Sequence, residues 1–91
     1  MPQSSKYRGV SRHIGKKKPW QVKIKYAGGP KGETWPYHFG YYPNQQYAAM
    51  IYDALAVELF GNDATLNFDG KPPPGVCRVD IIEMLRKKGL K

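Results

Sequence analysis

An α+β fold is what this chain predicts: three antiparallel strands packed on one α-helix, with a short extra helix near the C-terminal end. Three observations carry it. The first is strict alternation in Pro19-Trp20-Gln21-Val22-Lys23-Ile24-Lys25-Tyr26, where Trp20, Val22, Ile24 and Tyr26 are apolar and Gln21, Lys23 and Lys25 are polar. Successive side chains of a strand point to opposite faces, so this strand has one oily face and one cationic face. The second is the pair of turn signals that bracket it, Gly15-Lys16-Lys17-Lys18 and Ala27-Gly28-Gly29-Pro30-Lys31-Gly32, which place hairpins on both sides. The third is the helical spacing of Ala48, Ile51, Tyr52, Leu55 and Leu59.

In chain order, residues 1–5 read as a disordered tip. Tyr7-Arg8-Gly9-Val10-Ser11-Arg12-His13-Ile14 is a first strand with imperfect alternation, and Gly9 invites a bulge or a close backbone approach. The alternating stretch from Trp20 to Tyr26 is the second strand. A third spans residues 34–41, with Trp35, Tyr37 and Phe39 in one phase and Thr34, Pro36 and His38 in the other. Pro36 has no N–H to give a ladder, so this strand is expected at an edge or begins close to that point. Asn44 caps a helix over residues 45–60, ended by Gly61-Asn62. Only Asp53 and Glu58 interrupt the apolar character of residues 47–60, so a second cover is expected on the side away from the sheet. Residues 69–75 form a stiff, Pro-rich linker. Asp80 then caps a short helix through Lys88 whose Ile81, Ile82, Met84 and Leu85 pack onto the first helix or serve a protein partner. The chain divides into a tip (1–5), a domain (6–69) and a linker with its helix (70–91).

Residues 1–31 hold nine Lys or Arg and no Asp or Glu, whereas residues 32–70 hold five acidic residues and no basic one. The net charge of +8 is thereby concentrated in one sub-region, as on a surface that lies along a polyanion. The basic residues alternate along a strand instead of lining an amphipathic helix, which favours nucleic acid over a membrane surface. No stretch reaches the roughly 18 apolar residues of a membrane helix, and the first five residues lack the charged start and apolar run of a signal peptide. A 41% hydrophobic, 13% aromatic composition supports a core without staples, and the single Cys77 forbids an internal disulfide framework.

The order of elements and the residues on them resemble the plant-type apetala/ethylene-response-factor DNA-binding domain. The matching pieces are Tyr7-Arg8-Gly9-Val10, Phe39-Gly40-Tyr41-Tyr42, Ala48-Ala49-Met50-Ile51-Tyr52-Asp53, and Gly61 followed by Leu66-Asn67-Phe68, spread over residues 6–68. The resemblance implies a three-stranded sheet that enters the major groove of duplex DNA, in the nucleus, as part of a transcription regulator. Carried over by position, it implies first-strand contacts from Arg8, Ser11 and His13 with Arg12 between them. Second-strand contacts fall on Lys23 and Lys25, and third-strand ones on Pro36 and His38. The residues 7–13 resemble the apetala-like branch more than the ethylene-response branch. Ser11 and His13 stand where the latter carries Arg, Lys23 replaces an acidic residue, and Pro36 replaces an Arg, so that branch's GC-rich target is not carried over.

Chemically, Arg8 and Arg12 suit guanine, whose O6 and N7 acceptors match a guanidinium fork; the alternative is contact with phosphate. Ser11, His13, Lys23, Lys25 and His38 complete the base-contact set. Lys6, Lys16, Lys17, Lys18 and Lys31 are assigned to phosphates, the bland alternative for the loop lysines being a solvated turn. Trp20, Trp35, Tyr37 and Phe39 lie opposite in phase to the lysines and read as core, which argues against single-stranded RNA binding by stacking. His13 and His38 have no Cys or carboxylate at ligand spacing, so no metal is expected. Asp53 reads as structural, pairing with a backbone amide or a basic residue to fix helix against sheet. No catalytic constellation has workable spacing, and neither enzyme activity, cofactor nor small-molecule substrate is expected. Two rival functions use the same fold: a DNA-targeting module of an integrase or homing endonuclease, and a basic RNA- or protein-binding module.

Overall fold

The computed structural model describes residues 3–4, 7–12, 17–29 and 32–90. Four strands pair in chain order as one antiparallel sheet: β1 (Gln3–Ser4), β2 (Val10–Arg12), β3 (Trp20–Tyr26) and β4 (Trp35–Tyr42). Helix α1 (Gln45–Phe60) lies against one face, a 3-10 turn (Gly61–Asp63) follows it, and α2 (Arg78–Lys87) packs on α1. The three expected strands are the body of the sheet. Strand β1 is an addition: within the tip expected to be disordered, Gln3 and Ser4 pair with Arg12 and Ser11. Strand β2 begins later than expected because Gly9 sits at φ +76, a left-handed conformation that no regular strand contains, and His13 and Ile14 lie outside the described residues. Strand β4 lies at the edge of the sheet and begins one residue before Pro36, so both expectations drawn from that proline are met.

The alternation of β3 holds from Val22 to Tyr26, while the polar Gln21 before it is buried. Val22 and Ile24 are buried against α1, and Trp20 and Tyr26 pack at the margin of the same core. Strand β4 contributes Tyr37 and Phe39, while Trp35, 40% exposed, departs from the core expected of its phase. It begins the strand opposite Tyr26, and Tyr26 takes the edge-on contact with Phe60 at the end of α1 (ring centroids 5.6 Å).

Helix α1 starts where the Asn44 side chain accepts from the N–H groups of Gln46 (2.7 Å) and Tyr47 (3.3 Å), satisfying two donors with no partner inside the helix. It ends at Gly61, at φ +58. Its alanines, Ala48, Ala49, Ala54 and Ala56, are buried on more than one side, as a helix covered twice requires. The second cover is α2, whose Ile81 and Leu85 are buried in the common core together with Leu90. Each such side chain contributes about 1.5–3 kcal/mol when fully buried. The apolar side of α2 is therefore occupied within the chain.

Asp80 does not stand outside α2 as its cap. Cys77 is the N-cap residue, and Asp80, inside the first turn, reaches back to accept from the Cys77 N–H (2.9 Å). Arg78 beside it pairs with Glu58 of α1 at 2.6 Å, tying the start of α2 to its neighbour. None of the described helices is long and apolar enough to cross a membrane.

Candidate nucleic-acid interface

The face of the sheet turned away from α1 is built by register. Lys23 lies opposite His38, Lys25 opposite Pro36, and Gln21 sits between Ser11 of β2 and Tyr41 of β4. Lys25, His38 and Tyr41 are exposed, and Ser11, Lys23 and Pro36 are half-buried. Residues opposite each other in such a sheet stand about 5 Å apart, so these side chains form one continuous surface. None of the seven acidic residues lies in β2, β3 or β4.

Four of the predicted contact residues, Ser11, Lys23, Lys25 and His38, thus share one face with Pro36. Two further residues join them. Gln21 shares the phase of the lysines, a signal plain in the alternation, but is itself buried (8% exposed) between Ser11 and Tyr41. Tyr41 lacks that signal: continuing the phase of Trp35, Tyr37 and Phe39 would turn it inward. The register slips by one residue between the Gln21 and Lys23 rungs, and Gly40, at φ +91, lies in the β4 stretch that takes up the slip. This bulge sends Tyr41 outward and lets Tyr42 turn in behind Phe39. The Tyr42 hydroxyl donates to the Phe39 carbonyl at 2.6 Å, and its ring meets Tyr47 at 5.5 Å between centroids. Burial, with a smaller contribution from Tyr47, pushes the Tyr42 phenol up to about 12.

Arg8 is exposed, and its backbone is clamped. The Asn67 side chain accepts from the Arg8 N–H (2.7 Å) and donates to its carbonyl (3.1 Å). Asn67 is itself held from α1: the buried carboxylate of Asp53, 0% exposed, accepts from the Asn67 N–H (2.8 Å), the Asn67 side-chain amide (3.2 Å) and the Phe68 N–H (2.6 Å). The expected structural role of Asp53 is therefore met by two backbone amides, and the Leu66-Asn67-Phe68 motif acquires a purpose. On either side, the Tyr7 ring leans on Phe68 (5.3 Å), and Gly9 touches Tyr52 so closely that a Cβ would overlap its ring. The Gly9 carbonyl accepts from the Lys23 N–H (2.9 Å), joining the clamp to β3. Burial raises the Tyr52 phenol, the Arg8 charge opposes the rise and Asp53 adds to it.

Arg12 is placed differently. Its register partner is Trp20, so it carries the phase of Val10, towards the helix side, at the end of the sheet. Its guanidinium lies 5.8 Å from the centre of the Trp20 ring, and the residue is exposed. Lys17 and Lys18 are exposed in the turn before β3. Lys6, His13, Lys16 and Lys31 fall outside the described residues.

Two proteins of Arabidopsis thaliana align with most of this chain. Ethylene-responsive transcription factor WRI1 is 37% identical over 86 residues, which cover 94% of the chain and 17% of that protein. AP2-like ethylene-responsive transcription factor At1g16060 is 40% identical over 65 residues, 71% of the chain and 17% of that protein. This chain belongs to the apetala/ethylene-response-factor family. It spans 17% of the length of either relative, so it corresponds to one part of them. No family model matches it. In this apetala/ethylene-response-factor domain the four motif pieces converge physically: the first-strand and Leu66-Asn67-Phe68 pieces meet at the Asp53 clamp, and the Phe39-Gly40-Tyr41-Tyr42 piece forms the bulge.

Proposed function

We propose that this domain binds duplex DNA with sequence preference, its outward sheet face seated in the major groove, as the DNA-reading part of a nuclear transcription factor. The observation that carries the reading is the segregation of the sheet. One phase of β3 is core, and the other presents Lys23 and Lys25, in register with His38 and Pro36 and free of acidic residues. Strands about 4.8 Å apart make β2 to β4 roughly 10 Å across, which fits a major groove about 12 Å wide. Lys23 and Lys25 are two residues apart, or about 6.7 Å along the strand, close to two base-pair steps of about 3.4 Å each. Both relatives bear the name of transcription factors, which accords with this reading.

In it, Lys23, Lys25 and Arg8 donate to guanine O6 and N7. Ser11 and His38 bond to base edges between them, and the Tyr41 ring offers apolar contact to a thymine methyl. Arg12, Lys17 and Lys18, away from the face, neutralise phosphates, and the same role falls to Lys6, Lys16 and Lys31, with His13 near the bases. The test is selection of sites from random duplex DNA, followed by Lys23→Gln/Lys25→Gln. A recovered motif that the double variant no longer distinguishes from random sequence is the expected outcome. Absence of any motif, or competition by duplex RNA of equal length as strong as by DNA, overturns it.

A further inference from the structure

A sheet filling the major groove meets one sugar-phosphate backbone along each flank, so each flank needs positive charge. On the β2 flank the basic N-terminal third of the chain supplies it. On the β4 flank the strand itself cannot: Trp35–Tyr42 contains no Lys or Arg, nor does any residue from 32 to 70. The structure brings cations there from elsewhere. The C-terminal end of α2 abuts the edge of β4, where Met84, Lys87 and Lys88 line one cleft with His38, Phe39 and Gly40. His38 belongs to the outward side of the strand that the proposed function seats in the groove, and Gly40 to its bulge.

The position of these lysines is fixed by the chain that follows them. Gly89, at φ +76, closes the helix: its N–H reaches the Arg86 carbonyl (3.0 Å), and the Leu90 N–H reaches that of Leu85 (2.9 Å). This turn drives Leu90 into the core, where it and Tyr37 crowd Gly29 so tightly that a Cβ on Gly29 would overlap both. Ile81 and Leu85 anchor the preceding turns. Lys87 and Lys88 are exposed and form no ion pair among the described residues. A favourable interaction with the end of the helix dipole would account for cations in this turn, but not for their being held beside the outward edge of β4. Glu83 and Asp80 line the neighbouring hollow with Lys87, and an exposed pairing one turn apart is too weak to withhold that lysine from a phosphate.

We infer that Lys87 and Lys88 form a second phosphate-contact site, which binds the DNA backbone flanking β4 while the sheet occupies the groove. The inference rests on the duplex-DNA reading above. Its test is the salt dependence of binding to a selected duplex, comparing the parent with Lys87→Gln/Lys88→Gln. Lys71→Glu serves as a control of equal net charge, since Lys71 is exposed on the far side of α1 near Val57 and Glu58. The slope of log affinity against log salt should become shallower by about 0.9 if the lysines share one phosphate, or about 1.8 if each takes its own. The preferred sequence stays the same, and the control keeps the parental slope. A parental slope in the double variant overturns the inference and leaves the sheet reading standing, as does a slope that the control shifts equally. A changed base preference would make the lysines readers and overturn the phosphate assignment. If the parent itself shows no affinity for duplex DNA, both fail together.

Discussion

At one end of residues 7–12 the backbone is clamped from three sides; at the other, an arginine rests on a tryptophan ring. Arg8 has both its main-chain groups bonded to Asn67, its neighbours wedged on Phe68 and Tyr52, and the whole assembly tied to a buried carboxylate. Hydrogen bonds to a charged acceptor contribute about 1.5–3 kcal/mol each, whereas an exposed cation–π contact is worth about 0.5–1 kcal/mol. The contrast bears on function. Reading a base edge needs a donor placed to a fraction of an ångström, because the directional bonds that discriminate bases fail when misaligned. Attracting a phosphate needs only charge at the right flank. The clamped end suits base reading and the other end suits phosphate.

The clamp itself gives the largest expected effect. Asp53→Ala removes the acceptor for three donors and leaves two backbone N–H groups of the loop with no partner from α1. The three bonds are part-buried, and each bond to a charged acceptor is worth about 1.5–3 kcal/mol, so the loss should be about 3 kcal/mol or more. That is a large share of the roughly 5–15 kcal/mol that holds a domain together. Urea denaturation measures it, and a loss below about 1 kcal/mol would show the clamp to be incidental. Next comes Gly9→Ala, in which the new methyl both overlaps Tyr52 and sits at a positive φ. Overpacking costs about 1–3 kcal/mol, with backbone strain in addition. A variant as stable as the parent would mean that Tyr52 moves aside freely, and with it one wall of the clamp.

The two arginines then separate by the kind of loss they cause. Arg8→Ala should cost about 1–3 kcal/mol at a selected site and relax the preference at one base pair. Arg12→Ala should weaken all sequences alike and reduce the salt slope by about 0.9, with the preferred site unchanged. Parallel binding assays on a selected and a scrambled duplex distinguish the two. If Arg12→Ala relaxes a base position and Arg8→Ala does not, the assignment of the ends is reversed.

Much of this is legible in the sequence. Strand β3 announces its two faces through alternation and α1 its limits through Asn44 and Gly61, and the expected structural role of Asp53 is matched by its bonds to two backbone amides. What escaped sequence reading has identifiable causes. Arg12 looked like a neighbour of Ser11 in purpose, but adjacent strand residues face opposite ways, and only the Trp20 register fixes which way. Tyr41 was hidden because alternation fails at a bulge, and a lone glycine does not say where the slip occurs. The Asn67 clamp joins residues 59 positions apart, beyond any local pattern. Nothing local in the sequence sets Lys87 and Lys88 beside β4; the burial of Leu90 does.

The smallest effect probes the rung that carries Arg12. Across the sheet, Arg12, Trp20 and Tyr42 are successive partners, and Tyr42 closes the rung by its bond to Phe39. Its phenol is raised from 10.0 to about 12, with burial as the larger cause. A group whose folded value lies above its unfolded one lends stability that is fully present below the unfolded value and is lost as pH rises through the folded one. Stability should therefore hold to about pH 10 and decline between 10 and 12 on account of this residue. Tyr42→Phe should lose about 0.5–1.5 kcal/mol at neutral pH, the worth of one hydrogen bond, and fall less steeply in the alkaline window. Tyr52, raised at the clamped end, titrates in both proteins, so the difference between them isolates Tyr42. Urea midpoints at pH 7, 10 and 12 provide the comparison. Equal alkaline declines would place the sensitivity at the Asp53 end and remove Tyr42 from any part in holding the bulge that turns Tyr41 outward.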